Sequence, residues 1–136
     1  MNLSLDRADL DDGNPAAKMK YYTGRIFDSK KSKDIEMVLK VSGEGSYMNA
    51  VSGFYRYLSS PGKRIWFETG LIDSYRGSDM TLDLVSKKED ECFTFNFVDD
   101  LRSLAQINGW WAGMKEGKVV GPDNKMSVEI FDVDGN

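Results

Sequence analysis

The sequence contains no histidine and a single cysteine, Cys92, among 136 residues. Without imidazole, the Ser-His-Asp and Cys-His nucleophile systems, histidine-based zinc sites and the usual general base near neutral pH are all closed. A lone cysteine forms no internal disulfide, which agrees with a reducing compartment. There are only 3 prolines. No apolar run approaches the roughly 18 residues that span a bilayer as a helix. The start, Met1-Asn-Leu-Ser-Leu-Asp6-Arg7, has no basic segment followed by an apolar one. It predicts no export signal and a cytoplasmic location, or a periplasmic or secreted one if a leader has been removed.

Basic excess is missing too: 18 Lys and Arg stand against 22 Asp and Glu, a net charge of -4. A nucleic-acid binder normally carries a basic face, so this balance argues against nucleic acid and is compatible with a basic protein partner. The length fits one domain with a core of its own, and 40% hydrophobic and 12% aromatic residues supply that core.

What is present is alternation. Val51-Ser-Gly53-Phe-Tyr55-Arg-Tyr57 and Arg64-Ile65-Trp66-Phe67-Glu68-Thr69-Gly70-Leu71 flank a Ser-Ser-Pro61-Gly62 turn, a strong hairpin signal. Period-two runs continue on both sides: Tyr22, Gly24, Ile26; Ile35, Met37, Leu39, Val41; Met80, Leu82, Leu84; Phe93, Phe95, Phe97; Ala105, Ile107, Gly109, Trp111; and Met126, Val128, Ile130. Eight strands result, with no long helical segment. The expected fold is all-β, an antiparallel up-and-down meander closing into a roughly eight-stranded barrel over residues 19–136. Residues 1–18 are polar and acidic and are expected to form a flexible N-terminal arm. Glycines 24, 53, 70 and 109 lie inside strands, where barrel bends and close backbone approach require them.

The runs Val51-Ser-Gly53-Phe-Tyr55-Arg-Tyr57, Ile65 to Gly70 and Ile107-Asn-Gly109-Trp-Trp111 resemble a series in small bacterial proteins of uncharacterised function. Those proteins carry G-x-Y-x-Y, I-x-L-x-G and I-x-G-x-W strands, a rhythm similar to avidin and lipocalin-like barrels. The resemblance covers roughly residues 20 to 132. It implies a calyx-like barrel and no catalytic residue. In avidin-like proteins interior tryptophans line a ligand site; here the Trp110-Trp111 doublet sends one ring inward and the other outward.

Two sets of site residues follow. An outward Trp66 or Trp110 is a partner-binding anchor. The acids Asp73, Asp79, Asp99 and Asp100 are expected in turns that meander topology brings to one rim, where they would steer a basic partner. Tyr55, Tyr57 and Trp111 are the alternative, lining a barrel mouth around a small ligand. The charged run Lys87-Lys-Glu-Asp-Glu91 reads as a turn. No catalytic residue, metal site or cofactor is expected: Asp132-Val-Asp134-Gly135 starts like a calcium loop but lacks the remaining ligands. Gly43-Glu-Gly45 lacks the third glycine and the strand-to-helix setting of a nucleotide fingerprint. The leading expectation is a non-enzymatic binding protein of the immunity or inhibitor type, acting on a basic toxin such as a nuclease. The alternative is a small-ligand carrier.

Overall fold

The computed structural model describes residues 18–41, 51–76, 79–98, 101, 104–119 and 125–133. They form strands β1 (Lys18–Phe27), β2 (Ser32–Val41), β3 (Val51–Tyr57), β4 (Ile65–Trp66), β5 (Thr69–Arg76), β6 (Asp79–Ser86), β7 (Glu91–Val98), β8 (Gln106–Lys115), β9 (Lys118–Val119) and β10 (Lys125–Asp132). Every pairing is antiparallel, in the order β4-β3-β2-β1-β10-β8-β7-β6-β5, with β9 attached to β8. The first and last long strands lie side by side, with Gly24 opposite Ile130. The meander is thereby curled into a barrel.

One strand of the expected eight is broken in two, β4 pairing with β3 and β5 with β6, so the two edges of the curled sheet are joined by the chain itself. Ile65 and Phe67 face inward and pair with β3; Gly70 and Ile72 face inward beside β6. Glu68 and Thr69 are both exposed, so the inward facing shifts by one residue where the chain changes partner strand. Phe67 N donates to Gly53 O at 3.0 Å, and one residue later Glu68 N donates to Val85 O at 2.9 Å. The chain thus leaves β3 and joins β6 within one peptide. Gly70 sits at this crossing: a Cβ there would lie 2.1 Å from Val51 O, so only glycine lets the two backbones meet.

Alternation decides which side chains fill the barrel, because successive residues of a strand point to opposite faces. Tyr22, Ile26, Met37, Leu39, Tyr55, Leu82, Leu84, Phe93, Phe95, Val128 and Ile130 are buried together inside. Each fully buried large side chain contributes roughly 1.5–3 kcal/mol. The rings interlock: Tyr55 stacks on Phe67 at 5.2 Å and meets Phe93 edge-on at 4.8 Å. The interior is a packed core.

A smaller cluster, Tyr21, Val38 and Phe54, is buried on the outer side of β1–β3. Beside it Arg56 places Nε at 2.9 Å and Nη2 at 2.5 Å from Glu36 Oε1, and donates from Nη1 to Pro61 O at 2.6 Å. That fork pins the Ser-Ser-Pro-Gly loop to the sheet. The loop itself makes two successive turns, Ser60 N to Tyr57 O and Lys63 N to Ser60 O, and β4 keeps only two paired residues. Among the described residues, no helix is long and apolar enough to cross a membrane.

Candidate functional site

Three places on this barrel gather chemistry. The first is the end from which β7 starts. Glu91, assigned from sequence to a turn, is the first residue of β7 and shares the inward facing of Phe93 and Phe95. Its Oε2 accepts hydrogen bonds from Tyr55 Oη at 2.5 Å, Tyr57 Oη at 2.6 Å and Trp111 Nε1 at 2.9 Å. The three residues expected to line a mouth therefore converge on one carboxylate oxygen, and Glu91 is the residue sequence reasoning missed. Burial, and next the Glu91 carboxylate, pushes the phenols of Tyr55 and Tyr57 well above the ordinary tyrosine value. Both stay protonated and act as fixed donors. Lys33 Nζ lies over the Tyr57 ring, 5.4 Å from its centroid.

At the opposite end, Lys20 and Asp132 form a buried ion pair inside the barrel, and Lys20 also donates to Leu104 O at 3.4 Å. Tyr22 packs beside them; burial, with the Asp132 charge second, raises its pKa. Its hydroxyl is buried without a hydrogen-bond partner among the described residues. The barrel is thus stoppered at both ends by polar clusters around an apolar middle.

The second place is the outer face of β5–β7. Asp73 and Asp79 are exposed there with Asp83. Asp73 belongs to β5 rather than to a turn, because alternation runs on through Leu71 out, Ile72 in and Asp73 out. Asp73 lies opposite Thr81, and Leu71 opposite Asp83. Asp79 pairs with Val98, so the β5–β6 turn and the chain leaving β7 share one end of the barrel; Asp99 and Asp100 lie outside the described residues. Leu71 is 48% exposed among these acids. Arg76 of β5 is paired opposite Asp79. Thr94 donates to Asp83 Oδ1 at 2.8 Å.

The third place surrounds Trp66, which points outward, 43% exposed. Its ring rests on Phe54 at 4.6 Å, and the Arg64 guanidinium covers Phe54 from 4.9 Å. Trp66 is therefore held rigid. The doublet divides as its spacing requires: Trp111 is turned inward to Glu91, while Trp110 lies on the outer side with Lys125 Nζ 4.4 Å above its ring. Trp110 is half-buried and already occupied by that cation, so it offers less as an anchor than Trp66. Cys92 is buried, and burial raises its thiol pKa.

Comparison with protein-family models, with curated proteins and with solved structures finds no match to this chain.

Proposed function

We propose that this chain is a non-catalytic protein-binding module of the immunity or inhibitor type, which occludes a basic partner such as a nuclease toxin. The observation that carries this reading is the acidic outer face of β5–β7. Asp73 and Asp83 are exposed on neighbouring strands beside exposed Leu71, which lies opposite Asp83. An apolar anchor beside acidic side chains is how a surface combines steering with short-range grip. The lysines Lys63, Lys87, Lys88, Lys115 and Lys118 lie in or beside the turns at the other end, so charge alone would orient an approaching cationic protein. The packed interior favours an outer surface over an internal calyx.

The test is capture of the partner from native lysate, its identification, and stopped-flow association at low and high salt. The rate is expected to fall at least ~10-fold between the two. Reversing Asp73 and Asp83 to lysine should slow association without unfolding the protein. Unchanged rates would remove this face from the interface. The same reversal at Asp99 and Asp100 tests the rest of the proposed rim.

A second reading rests on the convergence of Tyr55, Tyr57 and Trp111 on Glu91, which leaves Glu91 Oε1 without a hydrogen bond among the described residues. A small ligand at this mouth would change Trp111 fluorescence on titration; a flat titration across ligand classes removes it.

A further inference from the structure

The turns at one end of the barrel carry most of the chain's positive charge. Phe27 faces Ser32 and Ser127, Ile35 faces Tyr57, and Ser86 faces Glu91. Glu91 faces Gly113, and Lys115 faces Lys118. Residues 28–34, 58–64, 87–91 and 115–118 therefore gather at one end, together with Lys125, the first residue of β10. In sequence these positions hold ten basic and six acidic residues, a net charge of +4. The whole chain is -4, which leaves -8 for everything else. One end is basic and the remainder acidic.

Nine of the ten are lysines, and all nine are exposed. Lys63 pairs with Glu89 at 2.7 Å, Lys33 lies over Tyr57 and Lys125 over Trp110. Lys30, Lys31, Lys87, Lys88, Lys115 and Lys118 make no ion pair among the described residues. Two of the acids are already engaged: Asp28 Oδ1 accepts the Lys30 and Lys31 amides at 2.7 and 2.8 Å, and Glu91 is turned into the barrel. The strand order places the β1–β2 and β6–β7 turns on opposite sides of the ring, with the β3–β4 loop and the β8–β9 turn between them. The lysines thus mark out a plane across the barrel end. Leu58 and Val119 are exposed at the same end.

The layout of these charges selects their partner. A linear polyanion would reach one side of such a ring, whereas a flat surface reaches every turn together. Protein interfaces favour arginine and are poor in lysine. Flexible lysine point charges suit fluid anionic headgroups, which attract clustered basic side chains. Acids at the far end do not oppose that contact: Asp79 and Ser86 stand at the two ends of β6, about 23 Å apart along the strand, beyond the ~8–10 Å screening length. We propose that this lysine-tipped end docks on anionic lipid headgroups at a membrane surface, with Leu58 and Val119 reaching the interface. The barrel then lies on the bilayer without spanning it. This surface goes beyond the protein-binding reading and does not rest on it, because an end-on seat leaves the outer face of β5–β7 open to a partner.

The experiment is co-sedimentation of the full chain with vesicles of phosphatidylcholine alone or with ~30% phosphatidylserine. Binding is expected to the anionic vesicles only, and should be lost as salt rises to ~0.5 M. Lys30→Glu with Lys31→Glu, and Lys87→Glu with Lys88→Glu on the opposite side of the ring, should each weaken binding at least ~10-fold. All four side chains are exposed, and circular dichroism checks that the variants stay folded. Leu58→Trp should shift its emission to the blue on anionic vesicles. No binding to anionic vesicles, equal binding to neutral ones, loss through only one of the two lysine pairs, or an unshifted Leu58→Trp overturns the surface. Binding to duplex DNA in place of vesicles overturns it too, by assigning the charge to nucleic acid. Asp73→Lys with Asp83→Lys should leave vesicle binding intact, so failure here leaves the protein-binding reading standing.

Discussion

Replacing Glu91 removes the acceptor that three side chains from two other strands share, and the cost can be reasoned donor by donor. A hydrogen bond to a charged group contributes about 1.5–3 kcal/mol, and a buried donor left without an acceptor loses its desolvation cost in full. Tyr55 is fully buried, so its hydroxyl has no water to turn to. Tyr57 and Trp111 are only partly buried and recover some of the loss from solvent. Glu91→Ala should therefore cost about 3–5 kcal/mol, less than three full bonds. Glu91→Gln keeps an acceptor but loses its charge, and should cost about 1–2 kcal/mol. The assay is urea unfolding followed by tryptophan fluorescence, which reports Trp111 at the cluster itself. A double-mutant cycle with Tyr55→Phe should give a coupling of about 1–2 kcal/mol, because the 2.5 Å bond to Glu91 is lost in either variant. If Glu91→Ala stays within about 0.5 kcal/mol of the parent, or the cycle shows no coupling, the stopper is not what holds this end shut.

At high pH the folded state should fail early. Tyr22, Tyr55 and Tyr57 have raised pKa values when folded, so their stabilisation is complete below the ordinary tyrosine pKa near 10 and is lost as pH rises beyond it; three such groups give a slope of about 4 kcal/mol per pH unit. A circular-dichroism pH titration with no transition above pH ~10.5 would contradict the phenol environments. Gly70→Ala should cost about 1–3 kcal/mol by overpacking, since its Cβ would meet Val51 O at 2.1 Å; chemical denaturation checks it. Asp132→Ala should cost about 3–5 kcal/mol by removing the carboxylate partner of the buried Lys20 ammonium, and a value under ~1 kcal/mol would mean that this ion pair adds little to stability. Cys92 should resist a thiol reagent in the native protein and react at once in urea, since its thiol is buried with a raised pKa.

Period two made most of this architecture legible. The inward sets of β2, β6, β7 and β10 can be read directly from Ile35 to Val41, Met80 to Leu84, Phe93 to Phe97 and Met126 to Ile130. The inward and outward members of the Trp110-Trp111 doublet follow from the same rule. The break between β4 and β5 was hidden, because a change of partner strand carries no composition signal of its own: Glu68 and Thr69 are ordinary strand-edge residues. Only the change of facing from Phe67 to Gly70 betrays it, and that needs the partner strands. Glu91 was legible in principle, since it lies two residues before Phe93 and shares its facing. The charge run Lys87 to Glu91 masked it as turn. Asp73 was misplaced for the opposite reason, an acid that suits a turn but sits on the solvated face of a strand.

The most direct test of the central claim, that this barrel acts through its outer surface on a basic protein, is the association rate of the chain with its captured partner as a function of ionic strength. The expected result is a steep fall with salt, at least ~10-fold, flattened when Asp73 and Asp83 are reversed to lysine. A rate indifferent to both salt and that reversal would contradict it.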